Sequence, residues 1–303
     1  PQDPLDWVVE NVLSAGSVSL IVGDAGCGKT WGCLDLAVAV AIGQNWLRYI
    51  VKGGPVLIVD EESGLRRLSL RLGDVLRGHE ADDKTPIFYT TLNRFNLSQP
   101  DHVTTICDTI REVEARLVVF DAFMDMLPGC DENAVKDTMP ALTALRDIAE
   151  KTGAAIVVIH HANKSGGYRG SSAIKGAVDL MLVVENDGKG LLTFKSEKAR
   201  DVDQVRFSAL MNFGQDTFNL SPAVEPTPKV AYSKGEAFVL RYLGQHGASK
   251  IKVLISRSET LADGISRAVV YALARKGLVQ RVDGGGSGSK ATYDLTKEGQ
   301  AAY

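Results

Sequence analysis

Gly23-Asp24-Ala25-Gly26-Cys27-Gly28-Lys29-Thr30 is the stretch on which the reading of this 303-residue chain turns. The octet fits the phosphate-binding spacing G-x-x-x-x-G-K-[ST] at every fixed position. Glycines let the backbone curl until successive N–H groups point at one anion. Lys29 adds a positive charge for the β- and γ-phosphates, and Thr30 a hydroxyl for Mg²⁺. Ser17–Val22 before it reads as a buried strand. Thr30–Ile42 after it reads as an apolar helix whose positive dipole end faces the same anion. Strand, glycine loop and helix in that order are the context the motif requires. Gly23 through Trp31 is therefore the expected binding segment, with ATP and Mg²⁺ as cofactors.

Outward from the loop, strand and helix patterns alternate to about residue 200. Pro55–Asp60, Ile87–Tyr89, Leu117–Asp121 and Ala154–His160 read as strands. Leu65–Leu76, Val103–Val113 and Ala134–Glu150 read as helices, the last with Pro140 as a candidate kink. The strands are continuous apolar runs, as expected where both sheet faces are covered. Leu180–Glu185, Leu191–Phe194 and Gln204–Met211 then follow without helices between them, the first two joined by the turn Asn186–Gly190. This predicts an α/β fold, a mainly parallel sheet flanked by helices with an antiparallel edge, over residues 1–220.

Ser221–Pro228 is rich in proline and reads as a stiff linker, placed at 221–230. Residues 231–303 read as three helices, about Lys234–Leu243, Lys250–Ile255 and Ile265–Lys276, and a hairpin around a Gly/Ser tip. Together these predict a small α+β winged-helix domain. That segment carries eleven Lys and Arg against six Asp and Glu, net +5. The rest of the chain is left at −8 within an overall −3. The asymmetry points to nucleic acid at the C-terminal end, with Arg267 and Arg275 on or near a recognition helix. A solvated basic face or a protein-docking module reads equally from charge alone.

The chain is 45 % hydrophobic and 23 % charged, with no signal peptide and no apolar run long enough to span a bilayer. Its four cysteines make no C-x-x-C pair and suit a reducing cytosol, so the expected location is cytoplasmic. Cys27 occupies a variable position of the loop and reads as tolerated. The histidines lack zinc spacing. Pro1 in place of Met leads to the expectation of a fragment lacking an N-terminal domain.

A nucleoside triphosphatase needs an acid for Mg²⁺, a group to activate water and a sensor of the γ-phosphate. Asp121, at the end of the strand Leu117–Phe120, fits the first role. Glu61 and Glu62 end a neighbouring strand and can reach an attacking water. Glu62 is favoured, and a helix N-terminal pair complementing the dipole accounts for the other. His160 and His161 end a further strand, ahead of the basic, glycine-rich loop 162–172, whose Lys164 and Arg169 suit a nucleic-acid backbone. Lys195, Lys198 and Arg200 cluster after a late strand, as a solvated run or as cations completing a neighbour's site.

In order, the segments GDAGCGKT, VLIVDEES, LVVFDAF, VVIHHANK, RGSSAIKGAVDLMLVVE and KSEKAR resemble the RecA-like ATPases of the DnaB/RepA/KaiC branch. The resemblance is closest to RepA-type hexameric helicases of plasmids and phages, and spans about residues 5–215. It implies Glu62 as the catalytic glutamate, His161 as the γ-phosphate sensor, and Lys198 and Arg200 as a K-x-R pair acting across a subunit interface. The loop 162–169, with Lys175 close behind it, would be the channel loop that binds DNA. Trp7 fits the usual lead-in to the first strand. Asp121 is followed by Ala122, whereas AAA+ proteins have a contiguous Asp-Glu, and Ser63 stands where some relatives carry another acid. The implied function is a ring-forming, ATP-dependent helicase or translocase on single-stranded DNA from a mobile element, a hexamer with a primase or initiator partner. The alternative is an ATP-switched oligomeric regulator that binds DNA without unwinding it. A small-molecule P-loop kinase leaves the K-x-R pair and the C-terminal module without a role.

Overall fold

The computed structural model describes residues 5–131, 134–161, 172–223, 232–258, 264–283 and 291–302. The chain divides into two units, Pro1–Glu225 and Pro226–Tyr303. In the first, β1 (Trp7–Val9) and β2 (Leu13–Ser14) form a small ribbon. Then come β3 (Val18–Gly23), α1 (Lys29–Ile42), β4 (Val56–Asp60), α2 (Leu65–Gly78), β5 (Ile87–Thr91), α3 (Pro100–Glu112), β6 (Leu117–Asp121), α4 (Val135–Thr152), β7 (Ala155–His161), α5 (Ser172–Ala177), β8 (Leu180–Asn186), β9 (Leu191–Ala199), β10 (Arg206–Phe213) and β11 (Phe218–Ala223).

The nine strands β3 to β11 form one sheet in the order β11-β10-β9-β8-β3-β7-β6-β4-β5. The pairs from β8 through β3 to β5 are parallel, and β8 to β11 continue antiparallel. This is the RecA-like arrangement. Side chains alternate across the sheet. Ile21, Ile58, Val119 and Val157 pack on one face with α1 and α2, while Leu20, Leu57, Val118 and Ile156 pack on the other with α3 and α4. Two apolar layers thus clamp strands that are themselves apolar throughout. Pro140 lies in the second turn of α4, and the helix runs on to Thr152.

Two details differ from expectation. β11 was not anticipated, and it takes Ser221, Pro222 and Ala223 out of the segment read as linker. Pro222 pairs with Ala209 on the outermost strand, the place where a missing N–H removes no ladder bond. Helix α1, buried along almost its whole length, also carries an acid inward. Asp35 is 1 % exposed. Its carboxylate accepts from Trp46 Nε1 at 3.0 Å, pairs with His79 Nε2 at 2.8 Å and accepts from Leu220 N at 2.8 Å. One buried charge therefore joins α1 to the end of α2 and to β11.

The second unit contains α6 (Lys234–His246), β12 (Ser249–Lys250), α7 (Ile251–Arg257), α8 (Arg267–Arg275), β13 (Val279–Arg281), β14 (Thr292–Leu295) and α9 (Lys297–Ala302). The expected helices and hairpin are joined by two further pieces. β12 makes the sheet three-stranded in the order β12-β14-β13, and α9 follows it. Val239, Leu243, Leu254, Val270, Leu273 and Leu295 fill a separate core. Ser233 and Glu236 form a capping box at the start of α6. Glu236 also accepts from Lys276 Nζ at 2.7 Å, and that contact holds its carboxyl below the usual glutamate range.

Asp35→Ala leaves the donors of Trp46 and Leu220 buried without an acceptor and frees the part-buried His79, so denaturant unfolding should show a loss of about 3 kcal/mol. In the second unit, a carboxyl held low in the folded state stabilises above its unfolded pKa of about 4.3 and loses that contribution as pH falls. Glu236→Gln should therefore reduce hydrogen-exchange protection of α6 by about 1 kcal/mol at pH 7, and the gap to wild type should close below about pH 4. A gap that stays constant with pH would remove the ion pair from this account.

Candidate nucleotide site

The carboxyl ends of β3, β4, β6 and β7 lie side by side because their parallel registers put them there. Gly23 is paired with His161, and Asp60 with Asp121. The loop 24–28 leaves β3 at this edge. Gly26 has φ +75° and Gly28 φ +106°, conformations that L side chains rarely adopt. A Cβ on Gly23 would meet the Val184 carbonyl oxygen, so strand and loop cannot pass with anything larger.

Lys29 opens α1 and is 5 % exposed. Its Nζ donates to the Gly23 and Asp24 carbonyls at 2.8 Å each, which ties the loop to its own lysine. The same nitrogen stands 3.4 Å from His161 Nδ1. A lysine can only donate, so Nδ1 accepts and the ring carries its proton on Nε2. That Nε2 faces Glu62 Oε2 at 3.3 Å. Lys29, His161 and Glu62, from three different elements, thus form one chain of contacts.

Beside it, Thr30 Oγ1 donates to Asp121 Oδ2 at 2.9 Å. Asp121 Oδ1 and Asp60 Oδ2 are buried with no hydrogen-bond partner among the described residues. Burial pushes the Asp121 carboxyl up to about 7. The Thr30 hydroxyl works against the rise, and the charges of Glu62 and Asp60 add to it. A buried carboxylate with a vacant lone pair beside a threonine hydroxyl fits a hard divalent cation held by oxygens. Thr30 and Asp121 are thus suited to Mg²⁺.

The two glutamates separate cleanly. Glu61 accepts from Asn93 N and Arg94 N at 3.1 and 3.0 Å, bracing the turn after β5. Glu62 alone turns to His161. Asp60, passed over in the sequence, accepts from Glu62 N at 2.9 Å and Ser63 N at 2.6 Å, and so sets the backbone that aims Glu62. A polar residue closing a wholly apolar strand was the available signal.

A cleft of about 200 Å³ on this side is lined by the loop, Trp31, Glu62, Ser63, Arg67, Arg71 and His161. Trp31 is a wall of that cleft and also packs on Phe213 and Phe218, with ring centroids at 5.2 and 4.6 Å. A larger cleft of about 880 Å³ opens on the other side of Gly23–Cys27, with Met211, Phe213 and the turn 186–190 on its walls. The loop lies between the two. Asn186 Nδ2 donates to the Cys27 carbonyl at 3.0 Å, and the Cys27 thiol is pushed up by burial.

Lys198 and Arg200 stand apart from this cluster. β8 runs parallel to β3, with Leu180 opposite Ser19, and Lys198 pairs with Met181, so both cations sit at the opposite edge of the sheet. Lys198 Nζ donates to the Gly176 carbonyl at 2.8 Å, and burial holds its pKa below the ordinary lysine value. Arg200 pairs with Asp179 at 2.6 Å. Lys175 pairs with Glu197 at 3.1 Å. Arg267 and Arg275 are exposed at the two ends of α8. Lys164 and Arg169 lie outside the described residues.

A family model described as "AAA domain" matches residues 1–167, more than half of the chain. The chain is similar to the "DNA repair protein RadA" of Mycobacterium tuberculosis (strain CDC 1551 / Oshkosh), 26 % identical over 193 residues, 63 % of this chain and 36 % of the relative. The proteins of the same name from Brucella abortus (strain 2308) and Pseudomonas aeruginosa are each 26 % identical, over 184 and 191 residues. These cover 61 and 62 % of this chain and 36 and 37 % of the relatives. The chain thus spans little more than a third of the length of these curated relatives. No described helix is long and apolar enough to cross a membrane.

Proposed function

The chain belongs to the AAA-domain family of P-loop ATPases, and from that premise we propose that it is an ATP-driven translocase or helicase on single-stranded DNA, built as a ring of like subunits. The observation that carries the reading is the division of the chemistry between two sheet edges. Lys29, Thr30, Glu62, Asp121 and His161 meet at one edge, and Lys198 and Arg200 stand at the other. Cations that cannot reach their own phosphate loop can reach a neighbour's.

In this mechanism Lys29 and the loop N–H groups hold the phosphates. Thr30 and Asp121 would hold Mg²⁺, which would supply positive charge to the phosphate chain when bound. Glu62 orients the attacking water and accepts its proton. His161 hydrogen-bonds Glu62 on one side and touches Lys29 on the other, so loss of the terminal phosphate reaches β7 and the segment after it. Lys164, Arg169 and Lys175 belong to that segment and are the proposed DNA contacts. The second unit is proposed as a winged helix, with Arg267, Tyr271 and Arg275 on one exposed face of α8. The DNA-repair name of the RadA relatives supports a DNA substrate. The RepA-type branch, the hexamer and a mobile-element source remain part of the proposal. The pairing of Arg200 with Asp179 favours the second reading, an ATP-switched regulator, because it holds the cation within its own chain.

Glu62→Gln should lower ATP turnover at least about 100-fold with nucleotide binding kept, whereas Glu61→Gln should stay within a few-fold of wild type. Arg200→Ala should lose turnover but keep ATP binding, and mixing it with Glu62→Gln subunits should restore part of the activity. ATPase rates with and without single-stranded DNA, together with strand displacement, test the motor. Turnover indifferent to every single strand would favour the regulator.

A further inference from the structure

We infer that Arg71 and Arg67 of α2 form a second cation pair, supplied in cis, that grips the terminal phosphate of a bound nucleoside triphosphate. Arg71 ties that phosphate to the Glu62 segment through Ser63. The inference rests on the nucleotide reading above and assigns groups that the phosphate motif does not contain.

Three observations carry it. Both guanidinium side chains line the same small cleft as Lys29, Thr30, Glu62 and His161. They are one helical turn apart on α2, so they share a face. Arg71 is half-buried and held by neutral groups. Its Nη1 donates to Ser63 Oγ at 3.2 Å, and its Cζ stands 5.8 Å from the centre of the Trp31 ring. Neither arginine has a carboxylate partner among the described residues. Glu62 turns to His161, Glu61 to Asn93 and Arg94, and Asp74 to Arg77.

A half-buried guanidinium beside an aromatic ring and a hydroxyl, with most of its five donors unmet among the described residues, is one half of a charge-assisted pair. The other half must be an anion that enters the cleft. Lys29 brings one ammonium to the same phosphates, a point charge whose Nζ is also shared with the Gly23 and Asp24 carbonyls and His161 Nδ1. A planar fork also reads a phosphate with two parallel bonds, which an ammonium does not. Ser63 follows Glu62 directly, and its N–H is held by Asp60. An Arg71 drawn onto a phosphate therefore acts on the segment that carries Glu62, which makes Arg71 a phosphate ligand and a positioning residue together.

Calorimetric titration of the full chain with ADP and with ATPγS, in Mg²⁺, tests this. Arg71→Ala should weaken ATPγS about tenfold or more while leaving ADP within about twofold, so that ADP affinity reports on folding in the same experiment. Arg67→Ala should show a smaller selective loss. Arg71→Lys should recover part of the ATPγS affinity through its charge, and none of the gain that depends on Ser63. An equal loss for both nucleotides, or no loss, overturns the assignment while the nucleotide site stands. A wild-type chain that binds neither nucleotide overturns the nucleotide reading itself, and this inference with it.

Discussion

Four parallel strands held in register at their carboxyl ends are the constraint from which this site follows. In a parallel ladder each strand delivers the same end to the same edge, so residues far apart in sequence arrive within bonding distance without any long side chain reaching for them. Gly23 and His161 are ladder neighbours, as are Asp60 and Asp121. A slip of one residue in any of these pairings would turn the terminal side chains to the other face. The apolar layers on both faces make such a slip costly, because every strand residue from Val18 to Val22 or Val56 to Val59 is buried. Packing in the middle of the sheet therefore sets the geometry at its edge.

That edge holds charges at odds with one another. Asp60 and Asp121 are buried side by side, and Asp121 pays for it with a carboxyl raised toward neutrality. Lys29 is buried as well, but its protons are given to loop carbonyls rather than to either acid. The acids and the lysine are thus kept from neutralising each other, although a direct pair would have been the simpler arrangement. An edge organised this way is poised for a ligand that carries both signs, a phosphate chain with a divalent cation.

Much of this was legible in the residues. The phosphate loop announced itself through glycine spacing, and Asp121, Glu62 and His161 through being polar at the ends of apolar runs. What escaped notice has physical reasons. Asp60 carries the same signal as Asp121, a polar residue closing an apolar strand, but its partners are backbone N–H groups two and three residues on, and no residue type in the sequence discloses those. β11 was hidden by Pro222, a residue that argues against a strand unless the strand is known to be outermost. The separate tasks of Glu61 and Glu62 depend on which way each side chain turns at a strand end, and neighbouring identical residues cannot disclose that. Lys164 and Arg169 lie outside the described residues.

The buried carboxylate of Asp35 bears on the order in which this chain can be assembled. Its bond to Leu220 spans 185 positions. A helix formed early in synthesis thus carries an acid whose last donor is made only when nearly the whole first unit has been translated. Until then that carboxylate must stay solvated, or be buried with a bond missing. Closing so long a loop adds little to equilibrium cost but slows the search. The helix that cradles the phosphate loop should therefore be among the last parts of the unit to settle, even though its own residues precede most of that unit in the chain.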